Sequence, residues 1–264
     1  DGLGRIGPLV ARHRSVAAPT DCSVPSLPGG AVAHLPFVLA SRPGHLRAGD
    51  PAPVRRRWPV GDPPPRVSVL IPTRDQGRLL ATCLTSLRTV TSYPDVELVV
   101  VDHESTETRA REVIDALADD PNAVVVPFTG PFNFAAMCNR AAEAATGEVL
   151  VLLNNDTEVL APDWLHEFVG QLARPEVGVV GALLLFTDGT IQHAGVHPGV
   201  GGLMGHGHKH RPGDDGGYHG RLTVAHEVAA VTGACLGVTR ALWDRLGGLD
   251  EENLAVAYND IDLC

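Results

Sequence analysis

From residue 66 onward, short continuous apolar runs alternate with stretches in which apolar residues recur at helical spacing. The apolar runs have the length of strands that are buried on both faces, and they are Val67–Ile71, Val96–Val101, Val124–Val126 and Val149–Leu153. Between them, the sets Leu79, Leu80, Cys83, Leu84, Leu87 and Ala110, Val113, Ile114, Leu117 each mark one face of a helix, and residues 133–145 form a third helical stretch. This succession predicts an α/β fold with a mostly parallel central sheet, helices on both faces and right-handed crossovers.

The pattern predicts four further elements after Leu153. They are a helix with Pro162 in its first turn, a long strand over Val177–Phe186 that turns at Asp188-Gly189, a strand over Val228–Val238, and a short helix over Ala241–Leu246. Residues 195–221 are rich in glycine and histidine and have no regular period. A loop of this length inside a compact domain is usually functional or mobile.

Residues 1–65 differ from the rest of the chain in composition. They are rich in proline and arginine and show neither helical nor alternating periodicity, which is typical of an extension or linker. The domain is therefore expected to span residues 66–264. The helical pattern that begins at Asn259 is cut off after one turn, so we expect the C-terminal end of the domain to be missing from this sequence.

The charge and hydropathy of the chain bear on whether it binds nucleic acid or a membrane. A net charge of −10 argues against nucleic acid as the main partner. No apolar run reaches the 18 residues of a spanning helix and no signal peptide is visible, so we expect a cytoplasmic protein. Peripheral association with the inner face of the membrane stays open because the run Arg55-Arg56-Arg57 can bind an acidic surface, although such runs are more often simply solvated.

A cluster of polar side chains, Asn154-Asn155-Asp156, directly follows the apolar run Val149–Leu153. Open α/β sheets bind ligands at the carboxyl ends of their strands. Mg²⁺ or Mn²⁺ takes oxygen ligands and often needs only one or two carboxylates besides substrate phosphates. Asp156 is therefore a candidate metal ligand that would offset the repulsion between an acidic protein and a phosphorylated donor. The alternative is a turn rich in Asn and Asp that only joins a strand to a helix.

Further acidic residues follow a predicted strand or lie in a loop beyond one. Asp102 ends the second strand, where it can accept hydrogen bonds from a base or ribose or can instead cap the next helix. Asp260 and Asp262 are two residues apart and cannot share one helix face, so one can face a substrate while the other holds the helix start. A dinucleotide fingerprint, a phosphate-binding loop and a nucleophile elbow are all absent from the sequence.

The histidines between residues 193 and 210 suggest a metal site of a different kind. His206, His208 and His210 form a His-x-His-x-His pattern in the glycine-rich loop, and His193 precedes them. No cysteine or glutamate at metal-site spacing accompanies them, so a dedicated zinc site is the weaker interpretation. An adventitious site, or one histidine that reaches the active site, is the stronger one.

Several motifs in order resemble those of family 2 glycosyltransferases with the GT-A fold. They are Val69-Leu70-Ile71-Pro72-Thr73-Arg74-Asp75, Val99-Val100-Val101-Asp102, Leu153-Asn154-Asn155-Asp156 and Asn259-Asp260-Ile261-Asp262-Leu263-Cys264. Further stretches resemble the O-antigen or rhamnosyltransferase-like branch. They are Gly130-Pro131-Phe132-Asn133-Phe134, Asp188-Gly189-Thr190-Ile191-Gln192-His193-Ala194-Gly195, Val231-Thr232-Gly233-Ala234-Cys235 and Asp250-Glu251-Glu252-Asn253-Leu254. The resemblance covers residues 66–264.

This resemblance implies a metal-dependent inverting transferase that moves a sugar from a UDP- or dTDP-linked donor to a saccharide or lipid-linked saccharide in bacterial surface polysaccharide synthesis. It implies roles for the following residues: Pro72, Thr73 and Arg74 at the nucleotide, Asp102 at the base, Asn154 and Asn155 at the donor, Asp156 at the metal, and Asp260 as general base. It also places His193, Gly233, Ala234 and Asp262 near the donor sugar or the acceptor.

The chain also departs from the family pattern, which keeps two other interpretations open. The family commonly has Asp-Asn-Gly-Ser after the second strand, whereas this chain has Asp102-His103-Glu104-Ser105, and its metal motif carries one carboxylate. These departures and the abrupt end modestly favour a non-catalytic or truncated nucleotide-binding module. A sugar nucleotidyltransferase shares the layered architecture, but the stretch after Ile71 lacks its glycine-rich signature.

Overall fold

The structure, a computed structural model, describes residues 9–11 and 58–264. Its strands are β1 (Leu9–Ala11), β2 (Val67–Thr73), β3 (Val96–His103), β4 (Ala123–Phe128), β5 (Val149–Leu153), β6 (Val179–Gly181), β7 (Leu184–Leu185), β8 (Ile191–His193), β9 (Val196–Pro198), β10 (Met204–His206), β11 (Glu227–Val228) and β12 (Cys235–Thr239). Its α-helices are α1 (Gly77–Val90), α2 (Thr108–Asp115), α3 (Phe134–Ala144), α4 (Trp164–Leu172), α5 (Arg240–Leu246) and α6 (Asn259–Leu263). Short 3₁₀ turns cover Ala116–Asp119 and Tyr218–Thr223.

The predicted mostly parallel sheet is confirmed. Its strand order is β11-β1-β6-β12-β5-β2-β3-β4, and the four strands from β5 to β4 pair in parallel. Strand β12 then pairs antiparallel with both β5 and β6. Because β2, β3 and β5 run in the same direction, the residues that follow each of them lie at one edge of the sheet.

Two apolar clusters, one on each face of the sheet, hold the layers together. Alternate residues of a strand point to opposite faces, so Val69 and Ile71 pack with α1 and α4, whereas Leu70 packs with α3 and α5. Every residue of β2 is buried, as expected for a strand covered on both sides. The small residues of α3, including Ala135, Cys138 and Ala142, are also buried in the second cluster.

Three predicted elements differ from the observed ones. The long strand predicted over Val177–Phe186 is wrong, because β6 belongs to the main sheet whereas β7 pairs with β8 in a separate hairpin. The strand predicted over Val228–Val238 is also wrong, since residues 229–234 leave the sheet between β11 and β12. Pro162 does not lie in the first turn of α4, which begins at Trp164 with Asp163 at its N-cap. The apolar run Val177–Phe186 divides because its two parts pair with different strands, β6 with β12 and β7 with β8.

The segment that precedes the domain is mostly outside the described residues. The interpretation of residues 1–65 as an extension or linker therefore stays a prediction, although β1 within it pairs with β6 and β11. Among the described residues, no helix is both long and apolar enough to cross a bilayer.

The buried carboxylate of Glu97 joins β3 to β2 and to the residues before β5, at the edge of the sheet opposite to the strand ends that carry the candidate site residues. Glu97 in β3 is only 4% exposed. Its carboxylate accepts hydrogen bonds from the Ser68 hydroxyl in β2 and, at 2.7 Å, from the backbone N–H of Thr146 just before β5. Burial by itself raises the pKa of Glu97, but these hydrogen bonds and the charge of Arg66 outweigh burial and hold the pKa below its ordinary value of 4.5.

We expect Glu97→Gln to lower the free energy of unfolding by about 2 kcal/mol at pH 7, because the amide places N–H groups against donors that need an acceptor. In the native protein, the folded carboxyl has the lower pKa, so its stabilisation is present above about pH 4.5 and is lost as the pH falls through the folded value. Urea denaturation at several pH values measures both effects, with the exposed Glu148→Gln as the matched control. Equal losses in the two variants would contradict this role of Glu97.

Candidate active site

The ends of β2 and β5 are joined by a hydrogen bond between side chains. The amide nitrogen of Asn155 donates to the hydroxyl of Thr73 at 2.8 Å. Thr73 is buried at the end of β2, and Pro72 beside it is also buried, whereas Arg74 is exposed. The bond fixes the Asn155 side chain and leaves its amide oxygen without a hydrogen bond to any described residue.

The loop that follows β2 is locked to the loop that follows β3. The carboxylate of Asp75 accepts hydrogen bonds from the backbone N–H groups of Thr106 and Glu107, and the N–H of Asp75 donates to the hydroxyl of Ser105. The bonds from Glu107 and Thr106, and then the charge of Arg74, lower the pKa of Asp75. The corner that carries Arg74 is therefore held in place by the neighbouring loop.

Asp102 is oriented by two donors at the end of β3. One of its carboxylate oxygens accepts from the N–H of Ser105 at 3.0 Å, and the other accepts from the guanidinium of Arg111 at 2.9 Å. The residue is 8% exposed. The alternative that Asp102 caps the next helix is wrong, because the N-cap of α2 is Glu107. Its contact with a nucleotide base stays a prediction.

A cleft of about 400 Å³ lies beside the end of β5. Its walls come from four parts of the chain, namely Asn154 after β5, residues 232–234 before β12, residues 204–206 in β10, and residues 256–261 at the start of α6. Phe134 and Val196 complete the lining. The cleft thus combines polar groups with apolar and aromatic surface, which suits an amphipathic ligand such as a sugar ring.

Asp260 faces this cleft and is held by backbone donors. Its Oδ2 accepts from the N–H of Gly233 at 2.8 Å, and its Oδ1 accepts from the N–H of Ile261 at 2.9 Å. The N–H of Asn154 donates to the carbonyl of Ala234 at 3.0 Å, which joins the end of β5 to the same loop. Asp260, Gly233, Ala234 and Asn154 are therefore brought together, whereas Asp262 is exposed and does not line the cleft.

Asp156 lies on the surface, two residues beyond Asn154. It is exposed, and no described residue gives its carboxylate a hydrogen bond or an ion pair. A carboxylate with unused oxygens and the amide oxygen of Asn155 are the hard donors that Mg²⁺ or Mn²⁺ accepts, so the residues present fit such an ion. The part of the chain that the structure describes contains no group of three His, Cys, Asp or Glu side chains placed to hold a metal by themselves. Such an ion would need further oxygen ligands from a substrate or water.

His193 lies behind the cleft wall rather than in the cleft. It is 1% exposed, its Nδ1 lies 2.8 Å from Nδ1 of His206, and its Nε2 accepts from the N–H of Thr232 at 3.4 Å. Burial, with smaller effects of His206 and His197, lowers the pKa of His193 to about 3, so the ring is neutral near pH 7. His206 is the histidine that lines the cleft. The described residues do not bring these histidines together as a zinc site.

Among the cleft residues that sequence reasoning did not assign are His206 and Tyr258. His206 belonged to the histidine group that was interpreted as an adventitious metal site or as the source of one histidine that reaches the active site. Nothing in the sequence shows that His206 in β10 contacts His193 in β8. Tyr258 directly precedes the Asn259-Asp260 motif, and this adjacency is a signal that could have identified it. It adopts a left-handed backbone conformation with φ of 65° just before α6 and is exposed at the cleft.

Two proteins of known sequence resemble most of this chain. The O-antigen biosynthesis protein RfbC of Myxococcus xanthus is 40% identical over 228 residues, which is 85% of this chain and 18% of that protein. The protein y4gI of Sinorhizobium fredii is 44% identical over 231 residues, which is 87% of this chain and 24% of that protein. The chain thus spans a quarter or less of the length of these relatives.

Solved structures give the same picture of the fold. The mannosyltransferase PcManGT of Pyrobaculum calidifontis, solved with GDP-Man and Mn²⁺, is 27% identical with a TM-score of 0.55, over 79% of this chain and 54% of that one. GalNAc-T7, solved with UDP, GalNAc and Mn²⁺, has the same TM-score at 17% identity, over 75% of this chain and 40% of that one. The architecture is that of the GT-A glycosyltransferases.

The sequence also matches a family model across the region that builds the sheet and most of the cleft. The model is that of glycosyl transferase family 2, and it matches residues 68–240, about two thirds of the chain. The match contains β2 to β5, the loop at residues 232–234 and β12. The chain therefore belongs to glycosyl transferase family 2.

Proposed function

We propose that this chain is the catalytic domain of a metal-dependent inverting glycosyltransferase that uses a nucleotide-diphosphate sugar. The observation that carries the proposal is the placement of the Asp260 carboxylate in the same cleft as Asn154, two residues before the unpaired carboxylate of Asp156. Asp260 offers a proton acceptor in the cleft, and Asp156, two residues along the chain from the cleft residue Asn154, offers a carboxylate that can hold a cation.

The donor would bind along the edge formed by the ends of β2, β3 and β5. Thr73 and Asp102 are buried and held by hydrogen bonds there, which suits a nucleoside, and Arg74 is exposed beside them. Asp156 and the amide oxygen of Asn155 would hold Mg²⁺ or Mn²⁺ against the diphosphate. When bound, such an ion neutralises the negative charge that develops on the departing nucleotide. Support also comes from PcManGT, a relative at 27% identity solved with GDP-Man and Mn²⁺.

The acceptor would bind in the cleft. A hydroxyl oxygen of the acceptor would attack the anomeric carbon from the side opposite to the diphosphate and form the new glycosidic bond. The bond between that carbon and the phosphate oxygen breaks, and the hydroxyl proton passes to Asp260. The N–H of Gly233 fixes Asp260 Oδ2 without using its second lone pair, so the carboxylate can still accept a proton.

The process in which this reaction takes part is proposed from the relatives. RfbC, which is 40% identical over 228 residues, is named for O-antigen biosynthesis. We therefore propose bacterial cell-surface polysaccharide synthesis as the process and a saccharide or lipid-linked saccharide as the acceptor.

Isothermal titration calorimetry with UDP, dTDP and GDP tests the donor site. We expect at least one of the three diphosphates to bind in the presence of Mn²⁺ and binding to disappear with EDTA, because the acidic chain needs a cation to hold a diphosphate. Hydrolysis of the matching nucleotide sugar then distinguishes an enzyme from a module that only binds nucleotide. No binding of any diphosphate with Mn²⁺ would contradict the proposed donor site.

A further inference from the structure

Thr232 and Gly233, consecutive residues in the loop before β12, fix two polar groups of the cleft relative to each other. The N–H of Thr232 donates to Nε2 of His193, and the N–H of Gly233 donates to Oδ2 of Asp260. His193 in turn contacts His206, which lines the cleft together with Asp260. One short stretch of backbone therefore sets the position of the carboxylate and, through His193, of the neighbouring imidazole.

The hydrogen bonds of this pair define which nitrogen of each ring carries a proton. A neutral imidazole has one N–H and one acceptor nitrogen. Because Nε2 of His193 accepts from Thr232, its proton lies on Nδ1 and is donated to Nδ1 of His206. His206 must then carry its own proton on Nε2.

The charges around His206 agree with a neutral ring close to Asp260. Burial and then the positive charge of Lys209 lower the pKa of His206, whereas the Asp260 carboxylate acts in the opposite direction. Near pH 7, His206 is therefore a neutral hydrogen-bond donor within electrostatic reach of the carboxylate. Thr232 and the aromatic side chains of Phe134 and Tyr258 line the same cleft.

We infer that His206 positions the acceptor: its Nε2–H donates to an oxygen of the acceptor saccharide while Asp260 receives the proton of the reacting hydroxyl. This inference rests on the proposed function and assigns the substrate contact to His206 rather than to the buried His193. His193 is then a positioning residue that fixes the orientation and tautomer of His206. The expected acceptor is a polyol that offers at least two oxygens, one to each of these groups.

Three variants and a panel of acceptors test the inference. Methyl glycosides of glucose, mannose, galactose and rhamnose serve as acceptor probes, together with the nucleotide sugar whose diphosphate binds. We expect His206→Ala to lower transfer to the best methyl glycoside by about 100-fold, with a raised acceptor KM, because misplacement of a reactant by about 1 Å costs that much. We expect His206→Gln, which keeps an N–H donor, to recover at least tenfold. His210→Asn is the matched control, because His210 is exposed outside the cleft and asparagine tolerates its φ of 66°.

Two measurements separate failure of this inference from failure of the proposed function or of folding. Binding of the diphosphate with Mn²⁺ should change less than twofold in His206→Ala, and the variant should unfold with a cooperative transition. Nitrogen-15 NMR of the wild-type histidines at pH 7 should show the proton of His206 on Nε2. Wild-type transfer in His206→Ala, no recovery in His206→Gln, or a proton on Nδ1 of His206 would overturn the inference and leave the donor site intact. Absence of wild-type diphosphate binding would overturn the proposed function itself and this inference with it.

Discussion

Replacement of Asp156 by alanine is expected to abolish the binding of a nucleoside diphosphate in the presence of Mn²⁺. Among the described residues, Asp156 has no hydrogen bond or ion pair, so its replacement removes the proposed cation ligand without breaking such a contact. Loss of an outer-sphere partner of a metal costs about 10- to 100-fold in affinity, and loss of the carboxylate ligand itself should cost more. Calorimetry with the diphosphate that binds the wild type, with and without Mn²⁺, measures the change.

The neighbouring Glu158→Ala is the matched control for Asp156→Ala. Glu158 is an exposed carboxylate in the same loop, two residues further along the chain. If both variants lost binding equally, the effect would come from the net charge of the loop rather than from metal ligation. If Asp156→Ala retained wild-type, Mn²⁺-dependent binding, the assignment of the metal to this loop would be wrong.

Asp260→Asn should lower the rate of sugar transfer by about 10²- to 10⁴-fold, the usual contribution of a positioned general base. The amide oxygen can still accept from the N–H of Gly233, so this contact with the loop should be kept, whereas the bond from the N–H of Ile261 is lost. Asparagine cannot take the proton of the attacking hydroxyl. Binding of the diphosphate with Mn²⁺ should remain within a few-fold of the wild type. Steady-state kinetics with the active donor and the best methyl glycoside give the comparison.

The exposed Glu252→Gln is the control for Asp260→Asn, since it removes a charge from the same C-terminal segment outside the cleft. A loss of transfer in Asp260→Asn that is matched by a loss of diphosphate binding would indicate a role at the donor instead of proton transfer. Unchanged kcat would exclude Asp260 as the base.

The helices and strands of the first half of the domain can be predicted from the sequence, because strands and helices alternate regularly from β2 to β5 and each has its own apolar pattern. The strand Val149–Leu153 was predicted with its observed bounds, since the continuous apolar run is bounded by the polar residues Glu148 and Asn154. The second half is less regular. Val177–Phe186 has the same apolar character, yet its two parts join different sheets, because β6 pairs with the distant strand β12 whereas β7 pairs with the nearby strand β8.

The candidate site divides in the same way. Motifs that follow a strand or begin a helix identified Asn154, Asp156 and Asp260. In the structure, Asn154 and Asp156 follow β5, and Asp260 lies in the first turn of α6. Asn154 and Asp260 line the cleft. No sequence pattern indicates the tautomer of His206. It depends on the hydrogen bond between His206 and His193, and on the bond that the N–H of Thr232 donates to His193. These residues are far apart in the chain.

The sequence by itself determined the α/β class and the family, and it identified the carboxylates that we propose to bind a cation or accept a proton, because strands buried on both faces and their polar ends leave a local pattern. Only the tertiary structure decided that residues 229–234 leave the sheet, that Asp260 and Asn154 share one cleft, and that His193 lies behind His206. The physical reason is that these arrangements depend on hydrogen bonds and packing between segments far apart in the chain, and such contacts leave no period in the sequence.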